Sequence, residues 1–374
     1  MPSRPVLRVT LTVEQLWQPV PGGSGTYVRE LTQGLAARGD VSVAGARARG
    51  GSAGAHGLPP AMPVHRSALP RPVLYEAWSR WRRPRLAGPR PDVIHATTWA
   101  VPPPSAPLVV TVHDLAFRRA PEHFTPRGVR FFERGLDIVR HEAAVVVTPS
   151  DATRLDCLDA GIEDSRIRVV PHGAGGLPVT ETEVDRFRRR YALERPFVLW
   201  CGALEPRKNV AGLVDAYRLL AARGADLDLV LAGPPGWGDA EHDVASRLAA
   251  VPADRVHRLG PLSVHDLHLA YAAARVFCFP SWWEGFGMPV LEAQSHGTPV
   301  VTSRGTSMAE VGGDGVVLVD PADPDAIAEG IEHAAGEGHD VLSRAAVENA
   351  ARYTWERSAA AHVEAYRDAL GVVA

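Results

Sequence analysis

Short β-branched, apolar runs alternate with helix-period segments along the whole chain, and this alternation constrains the fold more than any other feature. The first half holds VLRVTLTV (6–13), VSVAG (41–45), DVIHA (92–96), LVVTV (108–112), AVVVT (144–148) and IRVVP (167–171). The second half holds FVLWCG (197–202), LDLVLAG (227–233), VHRLG (256–260), RVFCFP (275–280), TPVVTS (298–303) and VVLVD (316–320). Between them lie segments such as TYVRELTQGLAARG, where Tyr27, Leu31 and Leu35 share one helical face. Strands that are apolar throughout need cover on both faces, which implies parallel sheets with crossover helices. A chain of 374 residues exceeds what one core usually supports, so the two sets imply two doubly wound α/β domains.

The polar stretch GAGGLPVTETEVD (173–185) marks the expected boundary. The expected division is a first Rossmann-like domain over 1–178, a second over 179–352, and a terminal helix over 353–374. That helix, RYTWERSAAAHVEAYRDAL, has no strand after it, so it is expected to dock elsewhere, back on the first domain. The Gly-, Ala- and Pro-rich region 45–63 reads as a mobile loop.

The formal net charge of −3 gives no electrostatic footprint for nucleic acid. Cys157, Cys201 and Cys278 are far apart and lack metal-ligand spacing, so no zinc site or disulfide framework is expected. No apolar run is long enough to span a membrane, and the N-terminus does not read as a signal peptide. A cytoplasmic protein is the expectation.

Four segments fall where parallel α/β sheets bind ligands, after the carboxyl ends of strands. PVPGGSGTYVREL follows the first strand and opens a helix, where glycines allow close backbone approach and helix amides favour an anion. Gly23 and Gly25 lack the third glycine of a dinucleotide fingerprint, and strand two ends without an acid, so NAD is weakly supported. GALEPRKNV follows the first strand of the second set. It places Arg207 and Lys208 side by side, with Asn209 in position to cap the next helix. Of the 40 lysines and arginines, Lys208 is the one lysine, and a compact ammonium fits where a guanidinium does not. VVTVHDLAF puts His113 at a strand end, suited to a sugar hydroxyl or a proton, or else purely structural. SWWEGFGMPVLEAQSHGTPVV separates Glu284 from Glu292 by seven residues, with Pro289 and Gly297 bounding a short helix whose first turn holds Glu292. Elsewhere, Ser150 or Asp151 and the Asp323–Asp325 pair read as helix caps, and His172 as an edge or hinge residue.

Together these segments resemble the retaining nucleotide-sugar glycosyltransferases of family 4, which have the GT-B fold of two Rossmann-like domains facing a central cleft. The resemblance covers nearly the whole chain. FPSWWEGFGMPVLEAQ is similar to the E-G-F-G-x-P-x-x-E signature, and CGALEPRKNV to the donor-phosphate loop. PGGSGTYVREL, VHDLAF and SRGTSMAEVGGDGVVLVDP match further family segments.

The resemblance implies roles. Glu284 would hold hydroxyls of the donor sugar and Glu292 those of the ribose. The amides of Gly285, Phe286, Gly287 and Met288 would approach the sugar and diphosphate. Lys208 with Arg207 would neutralise the leaving diphosphate. Gly23 and Gly25 would lie near that phosphate, and His113 near the reacting sugar and acceptor. No metal and no separate cofactor is expected. The LEPRKN loop looks like mannosyltransferase relatives, implying GDP-mannose as donor and a saccharide or lipid-linked acceptor. There is one departure: the arginine common in the family after the loop glycine is here Ala203. A UDP-sugar transferase and a non-catalytic sugar-nucleotide binder are the alternatives. A pyridoxal phosphate phosphorylase is discounted, because Lys208 sits in a phosphate loop.

Residues 71–86 carry Arg71, Arg80, Arg82, Arg83 and Arg85 against Glu76, with Leu74, Trp78 and Trp81 on one helical face. Such a helix either packs its aromatics on the first domain or lies on an anionic membrane surface.

Overall fold

The computed structural model describes residues 6–51, 56–236 and 240–371. The chain forms two units, residues 1–173 with 354–374 and residues 174–353. Each is built on one all-parallel sheet. In the first unit the strands are β1 (Leu7–Thr12), β2 (Val41–Arg49), β3 (Val64–Pro70), β4 (Val93–Ala96), β5 (Leu108–Thr111), β6 (Val145–Thr148) and β7 (Ile167–Val169). Their order is β3-β2-β1-β4-β5-β6-β7. In the second unit β8 (Phe197–Cys201), β9 (Asp228–Ala232), β10 (Val256–Gly260), β11 (Val276–Phe279), β12 (Val300–Ser303) and β13 (Val316–Val319) run in the order β10-β9-β8-β11-β12-β13.

The apolar runs form these strands because both sheet faces are covered. Along β5, Leu108 and Val110 enter one hydrophobic cluster while Val109 enters the cluster on the opposite face. In β6, Val146 faces one way and Val145 and Val147 the other. Every residue of β8 and β9 is buried. Each sheet reverses direction of growth once, beside β1 and β4 in the first unit and beside β8 and β11 in the second. The loops leaving those strand pairs diverge and leave a crevice at the carboxyl edge.

Three sequence expectations change. Residues 45–49, taken as the start of a mobile loop, continue β2, and they pair with β3, a strand the sequence reading missed. Residues 52–55 of that expected loop lie outside the described residues. β3 is half-exposed along its length and carries His65, Arg66 and Pro70, so it lacks the apolar signature of the inner strands. The polar boundary stretch contains the start of a helix, Glu181–Arg190, opened by a reciprocal capping box between Thr180 and Glu183. The division of the chain falls at Gly173/Ala174 rather than in the middle of that stretch. Ser150 and Asp323 accept helix N-terminal amides as caps.

The helix Arg71–Trp81 buries Leu74 and Trp78 against Ala48 and Ala100, and Trp78 Nε1 donates to Pro84 O at 2.9 Å. Trp81 does not share that face: it is 68% exposed. Arg82 ends the helix in the left-handed region and pairs with Glu142 at 2.6 Å.

The terminal helix Trp355–Ala369 packs within the first unit, where Ala359, Val363 and Tyr366 join the cluster of Tyr27, Leu31 and Leu35. Gly34 permits the approach, since a Cβ there would meet Ala359 Cβ at 3.1 Å and Trp355 O at 3.2 Å. A buried polar network ties this helix to the sheet. Tyr366 Oη meets His95 Nδ1 at 2.8 Å, and His95 Nε2 meets Thr111 Oγ1 at 2.8 Å. Tyr27 Oη bonds Thr111 Oγ1 at 2.7 Å and His362 Nε2 at 2.9 Å. His172, read from sequence as an edge residue, lies between the rings of Tyr27 and Trp355.

Burial lowers the basicity of His95 and His172 well below the usual histidine value of 6.5, and that of His362 to about 4. In the unfolded chain these imidazoles bind a proton near 6.5, whereas the folded chain keeps His362 neutral down to about 4. Between those values the unfolded state holds more protons, so acidification favours unfolding. Each such histidine adds about 1.4 kcal/mol of destabilisation per pH unit below 6.5. Denaturant titrations from pH 7 to pH 4 are expected to show this slope, and His362→Gln is expected to reduce it by about one histidine's share.

Candidate functional site

The crevice of the second unit is built from the loops after β8 and β11. β8 ends at Cys201, and Gly202 follows with φ of +145°, a conformation suited to glycine. A Cβ on Gly202 would meet Lys208 Nζ at 2.6 Å, so the ammonium lies directly against this backbone. Lys208 Nζ also stands 5.3 Å from the ring centroid of Phe279, the last residue of β11. The one lysine of the chain is thus lodged between the carboxyl ends of the two strands that flank the switch. Among the described residues, no carboxylate lies within ion-pair distance of it.

Its neighbour Arg207 is placed differently. Its Nη1 lies 2.6 Å from Glu284 Oε2, and its Nε lies 2.9 Å from Glu205 Oε2. Nη1 also donates to Trp283 O at 3.2 Å, and the Arg207 carbonyl accepts from Trp282 N at 2.8 Å. Main chain and side chain of Arg207 together stitch the β8 loop to the β11 loop. Asn209 does not cap the following helix with its side chain. It adopts the left-handed conformation, which asparagine tolerates, and its Nδ2 donates to Pro321 O at 2.7 Å.

Glu284 is a largely enclosed carboxylate, its side chain 13% exposed, with defined partners. Ser281 Oγ donates to Oε1 at 3.3 Å, and Ser307 Oγ donates to the Glu284 carbonyl at 2.6 Å. Burial alone would raise its proton affinity, but the charges of Arg207 and Lys208 outweigh that effect, and its carboxyl sits below the ordinary range. Glu284 is therefore ionised at neutral pH, an acceptor for hydroxyl donors.

The segment after Glu284 turns into the helix Met288–Gln294. Phe286 points its ring into a small cluster with Leu291 and Val311, which anchors the loop while its main chain stays at the crevice. Gly287 has φ of +95°, and a Cβ there would meet Met308 Cγ at 2.8 Å. Glu292 lies just beyond the first turn of this helix, because the helix begins at Met288, one residue earlier than its sequence position suggested. Its Oε2 accepts from Tyr271 Oη at 3.0 Å, and the same hydroxyl meets Cys201 Sγ at 2.9 Å. Tyr271 is fully buried and fixes Glu292 from below.

Sequence reasoning missed Glu205, Tyr271, Ser281 and Ser307. Glu205 and Ser281 lie inside quoted motifs, but nothing in their spacing revealed their partners. Tyr271 sits in a helix with an ordinary apolar pattern, and Ser307 follows a distant strand.

In the first unit, Gly23 and Gly25 lie within the first turn of the helix Gly22–Ala36 rather than in a loop before it. Gly25 is buried, and a Cβ there would meet Pro21 Cβ at 2.4 Å. His113 lies after β5, where its Nε2–H donates to Thr97 O at 3.0 Å. Its ring stands edge-on to Tyr27 at 4.9 Å. Burial lowers its basicity, partly offset by the Thr97 bond, so the imidazole is neutral with its other nitrogen an acceptor. Among the described residues, no group of three or more metal-ligating side chains gathers.

These two parallel-sheet Rossmann-like units define the GT-B class of transferase. Residues 21–174 match the family described as Glycosyltransferase Family 4, and residues 181–353 match Glycosyl transferases group 1. The chain belongs to the group 1, family 4-type glycosyltransferases. It is 31% identical to O-antigen chain mannosyltransferase B of Escherichia coli over 310 residues, covering 79% of this chain and 81% of that protein. It is 30% identical over 401 residues to the D-inositol 3-phosphate glycosyltransferase of Paenarthrobacter aurescens, covering 96% of each. Among solved structures, Anabaena HepE in complex with UDP and glucose superposes with a TM-score of 0.74 at 19% identity, covering 96% of this chain and 98% of that one. Sucrose-phosphate synthase from Thermosynechococcus elongatus also gives 0.74, at 20% identity, over 98% and 100%.

Proposed function

We propose that this glycosyltransferase moves mannose from GDP-mannose to a hydroxyl of a saccharide or lipid-linked acceptor, with retention of anomeric configuration. The observation that carries the reading is Lys208: a single ammonium with no carboxylate partner among the described residues, set between β8 and β11 beside an ionised Glu284. A cation so placed suits a diphosphate, and the neighbouring carboxylate suits sugar hydroxyls. Mannose as the sugar is supported by similarity to the Escherichia coli mannosyltransferase.

In this reading Glu284 holds the donor-sugar hydroxyls and Glu292 the ribose hydroxyls. The backbone of Gly285, Phe286, Gly287 and Met288 faces the sugar and diphosphate. In the first domain Gly23 and Gly25 open the helix Gly22–Ala36, whose N-terminal amides suit an anion, and neutral His113 accepts a hydroxyl hydrogen of an acceptor. The bond from the anomeric carbon to the phosphate oxygen breaks while the acceptor oxygen approaches the same face. The departing phosphate oxygen takes the acceptor proton, so no protein carboxylate acts as nucleophile. Negative charge grows on the diphosphate, and Lys208 stabilises it more in the transition state than in the ground state.

The test is transfer to acceptor saccharides with GDP-mannose and with UDP-sugars, the product configuration read by NMR. Turnover with GDP-mannose, retained configuration and persistence in EDTA are expected. Glu284→Ala is expected to lose about a hundredfold or more in kcat/KM. Faster turnover with a UDP-sugar would reassign the donor, and full activity of Glu284→Ala would contradict the site.

No helix among the described residues is long and apolar enough to cross a membrane. We propose a cytoplasmic enzyme that touches the inner face of the membrane through 71–86. The packed residues Leu74 and Trp78 cannot serve, but Val73, Trp81, Arg83 and Arg85 are each exposed. A basic surface with an exposed tryptophan suits anionic lipid. Sedimentation with phosphatidylglycerol vesicles at low salt is expected, reduced by Trp81→Ala and absent with neutral vesicles.

A further inference from the structure

The adjacent cations Arg207 and Lys208 are in unlike electrostatic settings. Arg207 lies between two carboxylates, Glu205 at 2.9 Å and Glu284 at 2.6 Å, with its side chain 24% exposed. Two of its three nitrogens are engaged by the protein: Nε by Glu205, and Nη1 by Glu284 and Trp283 O. The three charges Glu205, Arg207 and Glu284 sum to a net negative group. A guanidinium flanked in this way has little field left for a diphosphate. Lys208 has no such neutralisation among the described residues, and it stands at the strand ends beside Gly202 and Phe279.

From this we infer that Glu205 and Arg207 are positioning residues for Glu284, and that Lys208 alone among the cations of this loop meets the donor diphosphate. The inference rests on the transferase reading above. Arg207 fixes one oxygen of Glu284, and Ser281 fixes the other at 3.3 Å, so the carboxylate plane is set before a sugar arrives. Preorganised acceptors of this kind act through orientation, and small misplacements are costly. Glu205 holds the far edge of the guanidinium through Nε and balances its charge. Without Glu205, Arg207 keeps Glu284 as its one carboxylate among these two, and the group of charges beside the phosphate loop changes from net negative to neutral.

This arrangement predicts effects of opposite sign from one substitution. Glu205→Gln keeps the shape and an acceptor for Arg207 Nε but removes a negative charge. Calorimetry is expected to show GDP binding about threefold or more tighter than in the wild type, because the loop gains net positive charge. Steady-state kinetics are expected to show kcat about ten- to a hundredfold lower, because Glu284 loses its fixed setting. Glu205→Asp is expected to recover part of kcat. General damage to the fold would weaken both, so tighter GDP with slower turnover separates positioning from a structural role.

A thermal-unfolding double-mutant cycle of Glu205→Gln and Arg207→Gln reads the pairing without ligand and is expected to be non-additive. Glu205→Gln with wild-type GDP affinity and wild-type kcat overturns the inference alone, as does parallel loss of both. A wild-type protein that binds no nucleoside diphosphate and transfers no sugar overturns the transferase reading, and the inference with it.

Discussion

The ion pair between Arg207 and Glu284 joins the loops after β8 and β11, and the chemistry of the second domain depends on it. Those strands are neighbours in the sheet, yet their connections diverge to opposite sides, so the loops would otherwise part. Arg207 closes the gap twice, by its carbonyl to Trp282 N and by its guanidinium to Glu284. Glu284 is thereby kept ionised in a largely enclosed place, and among the described residues Lys208 is left as the cation of this loop without a carboxylate partner. Separation of roles follows from this geometry: one cation organises a carboxylate, and the other faces the crevice.

The supporting shell is built from side chains with few alternatives. Gly202 must lack a Cβ for Lys208 to lie where it does. Phe286 sinks its ring beneath the loop it belongs to, and Tyr271 holds Glu292 from the sheet side. The first domain uses a different device. Its terminal helix is held by Tyr366, His95, Thr111, Tyr27 and His362, a chain of buried hydrogen bonds whose members are costly to leave unpaired. Neutral imidazoles make that network compatible with burial at neutral pH and costly in acid.

Much of this was legible in the sequence because strand burial leaves a direct signature. Each apolar run that was read as a strand forms one, since a parallel sheet covered on both faces demands continuous apolar residues. β3 escaped because an edge strand at half exposure has no such demand, and VHRSALP looks like loop. The glutamates and the lysine were legible through motif spacing and, for Lys208, through the absence of any other lysine. Their partners were not. The pairing of Arg207 with Glu284 spans distant loops, and the Asn209 side chain makes no cap because the residue is left-handed rather than extended, with its Nδ2 donating to Pro321 O. Trp81 was misplaced because helical periodicity was extended through the last turn, where the helix already leaves the domain surface.

The account turns on which cation meets the diphosphate, and calorimetric titration of GDP into three proteins measures that directly. Relative to the wild type, Lys208→Ala is expected to lose about a hundredfold in affinity, the scale of a charge-assisted phosphate contact. Arg207→Ala is expected to bind GDP within about threefold of the wild type while turning over slowly. Loss of GDP binding in Arg207→Ala, with affinity retained in Lys208→Ala, would contradict the account.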